Sequence, residues 1–393
     1  MSFLGNTSKP ANNRVAILQC GSYALEPLYQ ALKTSVALAG GLEVRDKTVL
    51  LKPNIVFDSA PEKAITTHPV FLEAAILLVR ELGAKRILVG DSPGLQPHNF
   101  TAKLSGLGET AVRMGAQWVD FTQPKAEIAY PQGKTIRQFT VTGAVKEADV
   151  IISLPKLKTH QLMYFTGAMK NLFGLIPSML KSPYHVRLPG REAFASMIVD
   201  LNAAIKADYA FMDAVVGMEG PGPGSGFPRK IGLVLSSANL LAMDVAACEI
   251  VGYPPKEIPV NREALSRGIW LNDIGEIEYP AVKPWEAALP DFKKIPFKKT
   301  GSQLADFLLP RFILKFCERF TPRPFVNPAL CIRCGDCTRI CGSKAMSLAG
   351  EGKEKHVVIN YRSCIRCYCC HEICPVKAIE IKKARKSTSP ANS

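Results

Sequence analysis

Acidic residues are scarce in this 393-residue chain: 34 Asp and Glu stand against 49 Lys and Arg, a formal charge of +15. No segment reaches the ~18 uninterrupted apolar residues of a membrane span, and the first ten residues contain no apolar signal-peptide core. A cytoplasmic location is therefore expected. No GK[ST] closes a glycine-rich loop, and no G-x-G-x-x-G lies between a strand and a helix, so nucleotide and dinucleotide sites are unsupported. The basic excess comes with no nucleic-acid-binding motif, which argues against specific nucleic-acid recognition. Cysteine is sparse over most of the chain, where only Cys20, Cys248 and Cys317 occur, each among apolar neighbours. These read as buried structural thiols.

The other nine of the twelve cysteines lie between Cys331 and Cys374. Cys331, Cys334, Cys337 and Cys341 follow C-x2-C-x2-C-x3-C, and Cys364, Cys367, Cys370 and Cys374 repeat it 33 residues later. In a two-cluster bacterial ferredoxin, three cysteines of each run hold one 4Fe–4S cluster and the fourth crosses to the other. The spacing therefore assigns Cys331, Cys334, Cys337 and Cys374 to one cluster, and Cys364, Cys367, Cys370 and Cys341 to its twin. Cys369 falls outside the register. Zinc also takes paired C-x2-C, but a third cysteine at the same interval argues against it. Thiolate ligands rather than disulfides point to a reducing compartment. One asymmetry stands out: Pro375 follows the second run, whereas Gly342 follows the first.

Before this repeat, short apolar runs alternate with helical patterns. Candidate strands are 14–20, 48–52, 86–90, 150–154, 209–213 and 231–235, with a helix expected over 70–82. This alternation predicts an α/β body with a mostly parallel sheet and helices on both faces, followed by a small α+β ferredoxin-like module. Ligands of such sheets collect outside the carboxyl ends of the strands. There the chain offers Lys52 and Asn54, Asp91 and Ser92, then Lys156, Lys158, Thr159 and His160, then Lys170 and Asn171, and Asp213. The lysines suggest an anionic small-molecule ligand, with Lys acting as a point charge. His160 and Asp91 are the candidate proton donors. The bland reading is a solvated rim with ordinary turn chemistry at Asp91-Ser92-Pro93-Gly94. The glycine-rich stretch 217–226 is expected to be a mobile connector rather than a phosphate cradle. His68 is expected to be structural.

Lys52-Pro-Asn54, Thr67-His-Pro69, Gly90-Asp-Ser-Pro-Gly94, and the strings Leu154-Pro-Lys-Leu-Lys-Thr-His160 and Met169-Lys-Asn-Leu-Phe-Gly-Leu175 resemble the domain of unknown function 362 family over about residues 14–250. Members of that family often carry a C-terminal two-cluster ferredoxin module. The resemblance implies a shared α/β body and iron–sulfur involvement. It implies no particular reaction.

The expected organisation is a body at 1–292, a basic linker with an amphipathic helix at 293–324, and a 4Fe–4S module at 325–386 with repeats near 325–353 and 355–384. Residues 1–292 hold 29 Lys/Arg against 27 Asp/Glu, residues 293–323 hold 8 against 2, and residues 324–393 hold 12 against 5. The basic end would attract an acidic redox partner or an anionic molecule. The helix expected over 302–320 reads as a strut between the two parts, in preference to a segment lying on a membrane. The leading expectation is an iron–sulfur oxidoreductase that relays single electrons to a ligand on the body. The alternatives are a non-enzymatic electron carrier or redox-responsive binding protein, and a cluster donor in metallocofactor assembly.

Overall fold

A computed structural model describes residues 12–95, 100–297 and 322–382. The helix expected over 302–320, and Cys317 within it, lie outside the described residues. The chain divides into two compact units, Met1–Ile295 and Pro296–Ser393. Lys293–Ile295, read from sequence as the start of the linker, belongs to the body. The Gly220 N–H donates to the Lys293 carbonyl (2.7 Å), and the Ile295 N–H donates to the Tyr253 hydroxyl (2.7 Å).

The first unit is built on strands β1 (Ala16–Gln19), β2 (Thr48–Pro53), β3 (Arg86–Val89), β4 (Gln117–Trp118), β5 (Lys125–Ala129), β6 (Gln138–Thr142), β7 (Val150–Leu154), β8 (Lys156–His160), β9 (Tyr164–Thr166), β10 (Tyr209–Glu219) and β11 (Phe227–Ser237). Nine of them form one sheet in the order β1-β11-β10-β7-β2-β3-β4, with β8 beside β10 and β9 beside β8; β5 and β6 make a separate hairpin. The central pairings β10–β7, β7–β2, β2–β3 and β3–β4 are parallel. Strand β11 runs antiparallel to both β10 and β1. The sheet is thus mostly parallel, with an antiparallel margin.

Alternation along the strands sends side chains to both faces. Val49, Leu51, Val89, Val150, Ile152 and Phe211 pack with helices Leu25–Leu38 and Pro69–Glu81 in one apolar core. Leu50, Leu88, Ile151 and Met212 are equally buried on the opposite face. Helix Pro69–Glu81 starts as its sequence dictates: Pro69 takes the first position, and His68 caps it through Nδ1, which accepts from the Val70 N–H (3.2 Å).

Two segments depart from the sequence-based expectation. Lys156–His160, expected as loop residues past a strand end, form β8, whose five residues are all buried. Pro155 separates β8 from β7, and β10 pairs with β7 at Tyr209 and Ala210 and with β8 from Asp213 onward. A proline has no N–H to give, so the ladder breaks there and resumes one residue later. The stretch 217–226 is not a free connector either. It completes β10 and turns into β11, with Gly222 to Gly226 buried. This turn packs on Thr159, whose Oγ1 donates to the Gly220 carbonyl (2.7 Å) and accepts from the Gly222 N–H (3.3 Å).

The second unit pairs β12 (Arg323–Val326) with β15 (Ile379–Lys382) and β13 (Met346–Ala349) with β14 (His356–Ile359), each antiparallel. Two short helices, Asp336–Arg339 and Cys369–Ile373, sit at matching places in the repeat. Cys337, Cys370 and Cys374 form much of its core with Met346, Ala378 and Ile379. Among the described residues no helix is long and apolar enough to cross a membrane.

Candidate functional site

In the body, strands β2, β3, β8 and β10 bring polar side chains from distant parts of the chain into one buried layer. Lys52 pairs with Asp91 at 2.8 Å, and Lys156 with Asp213 at 2.8 Å, all four side chains being buried. Burial pulls both ammonium groups below their ordinary range, and the facing carboxylates pull them back up. Each pair is tied further. Asp91 accepts from the Ile55 N–H (2.5 Å) and the Ser92 N–H (2.8 Å). Asp213 accepts from the Tyr23 hydroxyl (2.8 Å) and the His68 N–H (3.0 Å). Lys156 donates to the same Tyr23 oxygen (2.7 Å), and the Tyr23 ring stacks on His68 at 3.6 Å.

Asn171 joins the two halves of the layer. Its Oδ1 accepts from Lys52 Nζ and Asn54 Nδ2, both at 2.9 Å, and its Nδ2 donates to the Lys52 carbonyl and to Ser153 Oγ, both at 3.0 Å. The turn carrying Asn171 and Lys170 is held by the buried Asp244, which accepts the Ala168 and Met169 N–H groups (2.5 and 3.1 Å). Gly167 is required for that approach, since a Cβ there would lie 2.0 Å from Asp244 Oδ1. Gly174 is required for the same reason: its Cβ would lie 2.3 Å from Lys52 Nζ.

Lys158 differs from Lys52 and Lys156. Its ammonium donates to the Asn54 side-chain oxygen and to the Ile65 carbonyl (2.6 Å), both uncharged. Burial, then Lys170 and Lys156, hold it well below the usual lysine range. Lys181, absent from the sequence-derived set, is also buried and donates to the Ser92 carbonyl. Burial pulls it down to about 7 against the counter-pull of Asp91. Among the described residues neither Lys158 nor Lys181 pairs with a carboxylate. Lys170, half-buried, lies within electrostatic reach of both amines and of His160.

His160 is held as a neutral ring, with burial and then Lys170 keeping it well below the usual histidine range. Its Nδ1 accepts the Leu162 and Met163 N–H groups (3.1 and 3.2 Å), which puts the proton on Nε2. It can donate from that atom but offers no free basic nitrogen. Asp91 is an acceptor in every contact above, which suits an anchoring anion better than a proton donor. Ser92 Oγ accepts from the Ser178 N–H (2.6 Å), so Ser92 ties the segment before Lys181 to the end of β3. Two buried hydroxyls lack hydrogen-bond partners among the described residues: Thr66, next to Ile65, and Ser225, in the turn over Thr159.

In the second unit the cysteines line two cavities. One is walled by Cys331, Cys334, Cys337 and Cys374 with Val326, Val357 and Ile379. The other is walled by Cys341, Cys364, Cys367 and Cys370 with Pro324 and Met346. The fourth cysteine of each run thus stands with the first three of the other run. Electrostatics report the same grouping: burial and then Cys334, Cys331 and Cys374 push the Cys337 thiol up to about 11. Four crowded thiols fit a group that takes them as thiolates, and iron–sulfur clusters do so. Among the described residues no three His, Cys, Asp or Glu side chains gather at single-ion distance. The thiols stand back around a space instead.

Gly342 leaves the first half intact. The Ala345 N–H donates to Cys341 Sγ and the Ala378 N–H to Cys374 Sγ, both at 3.2 Å, so the turns after the two crossing cysteines match. Cys369, outside the register, is buried in the wall of the second cavity, and its free thiol donates a hydrogen bond to Cys367. Cys20 and Cys248 are buried in the body.

Residues 49–249 match the family model described as domain of unknown function (DUF362), and residues 330–378 match that of the 4Fe-4S dicluster domain. A thylakoid-associated protein of Synechocystis sp. is 30% identical over 327 residues, spanning 82% of this chain and 98% of the relative. Among solved structures, a Thermotoga maritima protein aligns at 13% identity with a TM-score of 0.35, covering 54% of this chain and 55% of its own. The lactate racemase apoprotein of Thermoanaerobacterium thermosaccharolyticum aligns at 12% identity with a TM-score of 0.40, covering 63% and 59%. The chain spans under two thirds of either structure.

Proposed function

Because this chain belongs to the DUF362 family and ends in a 4Fe-4S dicluster domain, we propose that it is an iron–sulfur oxidoreductase that delivers single electrons to a small anion bound by its body. Each of the two cysteine-walled cavities would take one 4Fe–4S cluster, held by Cys331, Cys334, Cys337 and Cys374 and by Cys364, Cys367, Cys370 and Cys341. Such clusters supply one-electron chemistry at potentials set by hydrogen bonds and solvent around the sulfurs.

The observation that carries the body's part is two buried amines that no carboxylate answers. Asp91 and Asp213 answer Lys52 and Lys156, while among the described residues Lys158 and Lys181 are bonded to neutral oxygens. An uncompensated buried charge is costly, and an anion between these amines would relieve it. Lys158, Lys170 and Lys181 would bind the anion, Asn54 and Asn171 would fix their positions, and the unpartnered Thr66 and Ser225 hydroxyls stand on the two flanking segments. Lys52, Lys156, Asp91, Asp213 and Ser92 would hold the frame, with Thr159 anchoring the turn above. A reduction that consumes protons needs a donor at the site. Lys181, pulled to about 7, suits that role better than Asp91, with His160 able to donate through Nε2.

The test is calorimetric titration of the reconstituted protein with sulfate, inorganic phosphate and oxalate at pH 6. At least one should bind, and Lys158→Met or Lys181→Met should weaken it at least tenfold without changing iron content. If none binds while the clusters reduce normally, the body is no anion site and the protein is better read as an electron carrier. A peripheral membrane contact is a second reading, because the Synechocystis relative is thylakoid-associated and residues 293–323 hold 8 basic against 2 acidic residues. Flotation with anionic vesicles checks it.

A further inference from the structure

The two halves of the cysteine module, aligned at an offset of 33 residues, differ consistently in exposure. In the first half Ile332 is 61% exposed and Leu330 49%, and Arg333 and Cys334 are exposed as well. The counterparts of Ile332, Arg333 and Cys334, which are Ile365, Arg366 and Cys367, are only half-exposed, and opposite Leu330 stands the exposed but polar Ser363. Gly335 adds no side chain beside the first cavity. At the matching place in the second half stands Tyr368, buried, with its hydroxyl donating to the Pro322 carbonyl (2.8 Å). Tyr368 covers the second cavity on that side, and no aromatic ring stands at the matching place beside the first.

Single exposed apolar residues are ordinary on protein surfaces. Here two of them bracket a cysteine of the first cavity and adjoin a second, exposed one. The unit as a whole is basic: residues 322–382 hold 10 Lys/Arg against 5 Asp/Glu. The nearest acid, Asp336, is already paired with Arg339. An apolar centre with a charged rim is the composition of a transient docking surface, and the rim's sign selects the partner.

Building on the iron–sulfur reading above, we propose that the edge formed by Leu330, Ile332, Arg333 and Cys334 is the docking port for an acidic one-electron carrier protein. The carrier gives up one electron there, and the cluster of the first cavity takes it. Electron tunnelling weakens steeply with separation, so the cavity walled by the exposed Cys334 offers the short path.

The experiment uses the full chain with its iron restored, mixed anaerobically with reduced flavodoxin, an acidic carrier, and followed by stopped-flow. Dithionite, a small reductant, serves as the control. Ile332→Ser/Arg333→Asp is compared with its twin Ile365→Ser/Arg366→Asp. Aspartate suits both arginine positions, because their φ values of 61° and 56° are left-handed. The first pair should slow reduction by flavodoxin about tenfold at low salt, with the gap closing as salt rises. The twin should change it less than twofold, and dithionite should reduce all three proteins alike. The port is refuted if both pairs slow the reaction equally, if neither does, or if the wild-type rate ignores salt. Should the double variant lose iron, Arg333→Asp alone carries the same expectation. A wild-type chain that takes up no iron–sulfur cluster, seen by iron and sulfide content, refutes the underlying reading instead.

Discussion

The body and the cysteine module both bury groups that prefer to be charged, and they deal with them differently. In the body, Lys52 with Asp91 and Lys156 with Asp213 are matched within the polypeptide, and Asn54 and Asn171 satisfy what remains. In the module, two sets of four thiols crowd around cavities whose walls offer one arginine each, Arg333 and Arg366. A layer that pairs most of its charged groups can fold before its ligand arrives. A core made of thiols depends on what it binds, because the metal's binding energy is then folding energy.

The largest effects should come from breaking the module. Stripping iron with a chelator should unfold residues 322–382 while the body keeps its own cooperative melting transition, as calorimetry will show. Cys374→Ala should remove the cluster of the first cavity although Cys374 belongs to the second run, and Cys341→Ala should do the reverse. Iron content and electron paramagnetic resonance distinguish these outcomes from loss of the cluster nearer in sequence.

The body should lose less. Asp213→Asn leaves Lys156 buried without its counter-charge and should cost about 3–5 kcal/mol in urea denaturation. The double change Lys156→Met/Asp213→Leu should cost clearly less, since no charge is stranded. If the single change is the milder one, the pair is not the buried, self-satisfied unit described above.

Smaller again is the pH dependence. Lys181 titrates near 7 in the folded body and near 10.5 when unfolded. Between those values the unfolded chain binds more protons, so this lysine's penalty is full below about pH 7 and fades as pH rises. Facing Asp91, Lys52 and Lys170, it should lend the wild type a rise in urea midpoint from pH 7 to 9 that Lys181→Met lacks. Sulfate binding should weaken over the same range. The smallest effect belongs to Cys369, whose thiol donates a hydrogen bond to Cys367. A donor to a ligating sulfur stabilises the reduced state, so Cys369→Ala should lower the potential of the second cavity's cluster by the equivalent of about 1 kcal/mol or less. Cys369→Ser should restore it, and the first cluster should not move in a redox titration.

Part of this organisation is legible in the sequence. The strand Val150–Leu154 and the helix begun by Pro69 follow from periodicity and capping, which act within a few residues. The grouping of Cys374 with Cys331, Cys334 and Cys337 is legible too, because three-residue intervals leave each run one ligand short. Lys181 is not: it lies in a segment without periodicity, and its burial depends on the Ser92 carbonyl 89 residues away. Nor is Tyr23, whose hydroxyl sits between Lys156 and Asp213, both distant in sequence. Pattern along the chain has no term for such meetings.

By itself the sequence determined that thiolates at ferredoxin spacing end this chain, that an alternating α/β body precedes them, and that the excess of positive charge lies at the cysteine end. Tertiary structure alone decided which lysines are answered by carboxylates and which are not, that Lys156–His160 is a strand, and that Cys334 is exposed beside one cysteine cavity while Tyr368 is buried beside its twin. Spacing and composition are local properties that sequence carries directly. Pairing and exposure depend on which distant segments the sheet brings together, and only the folded chain contains that.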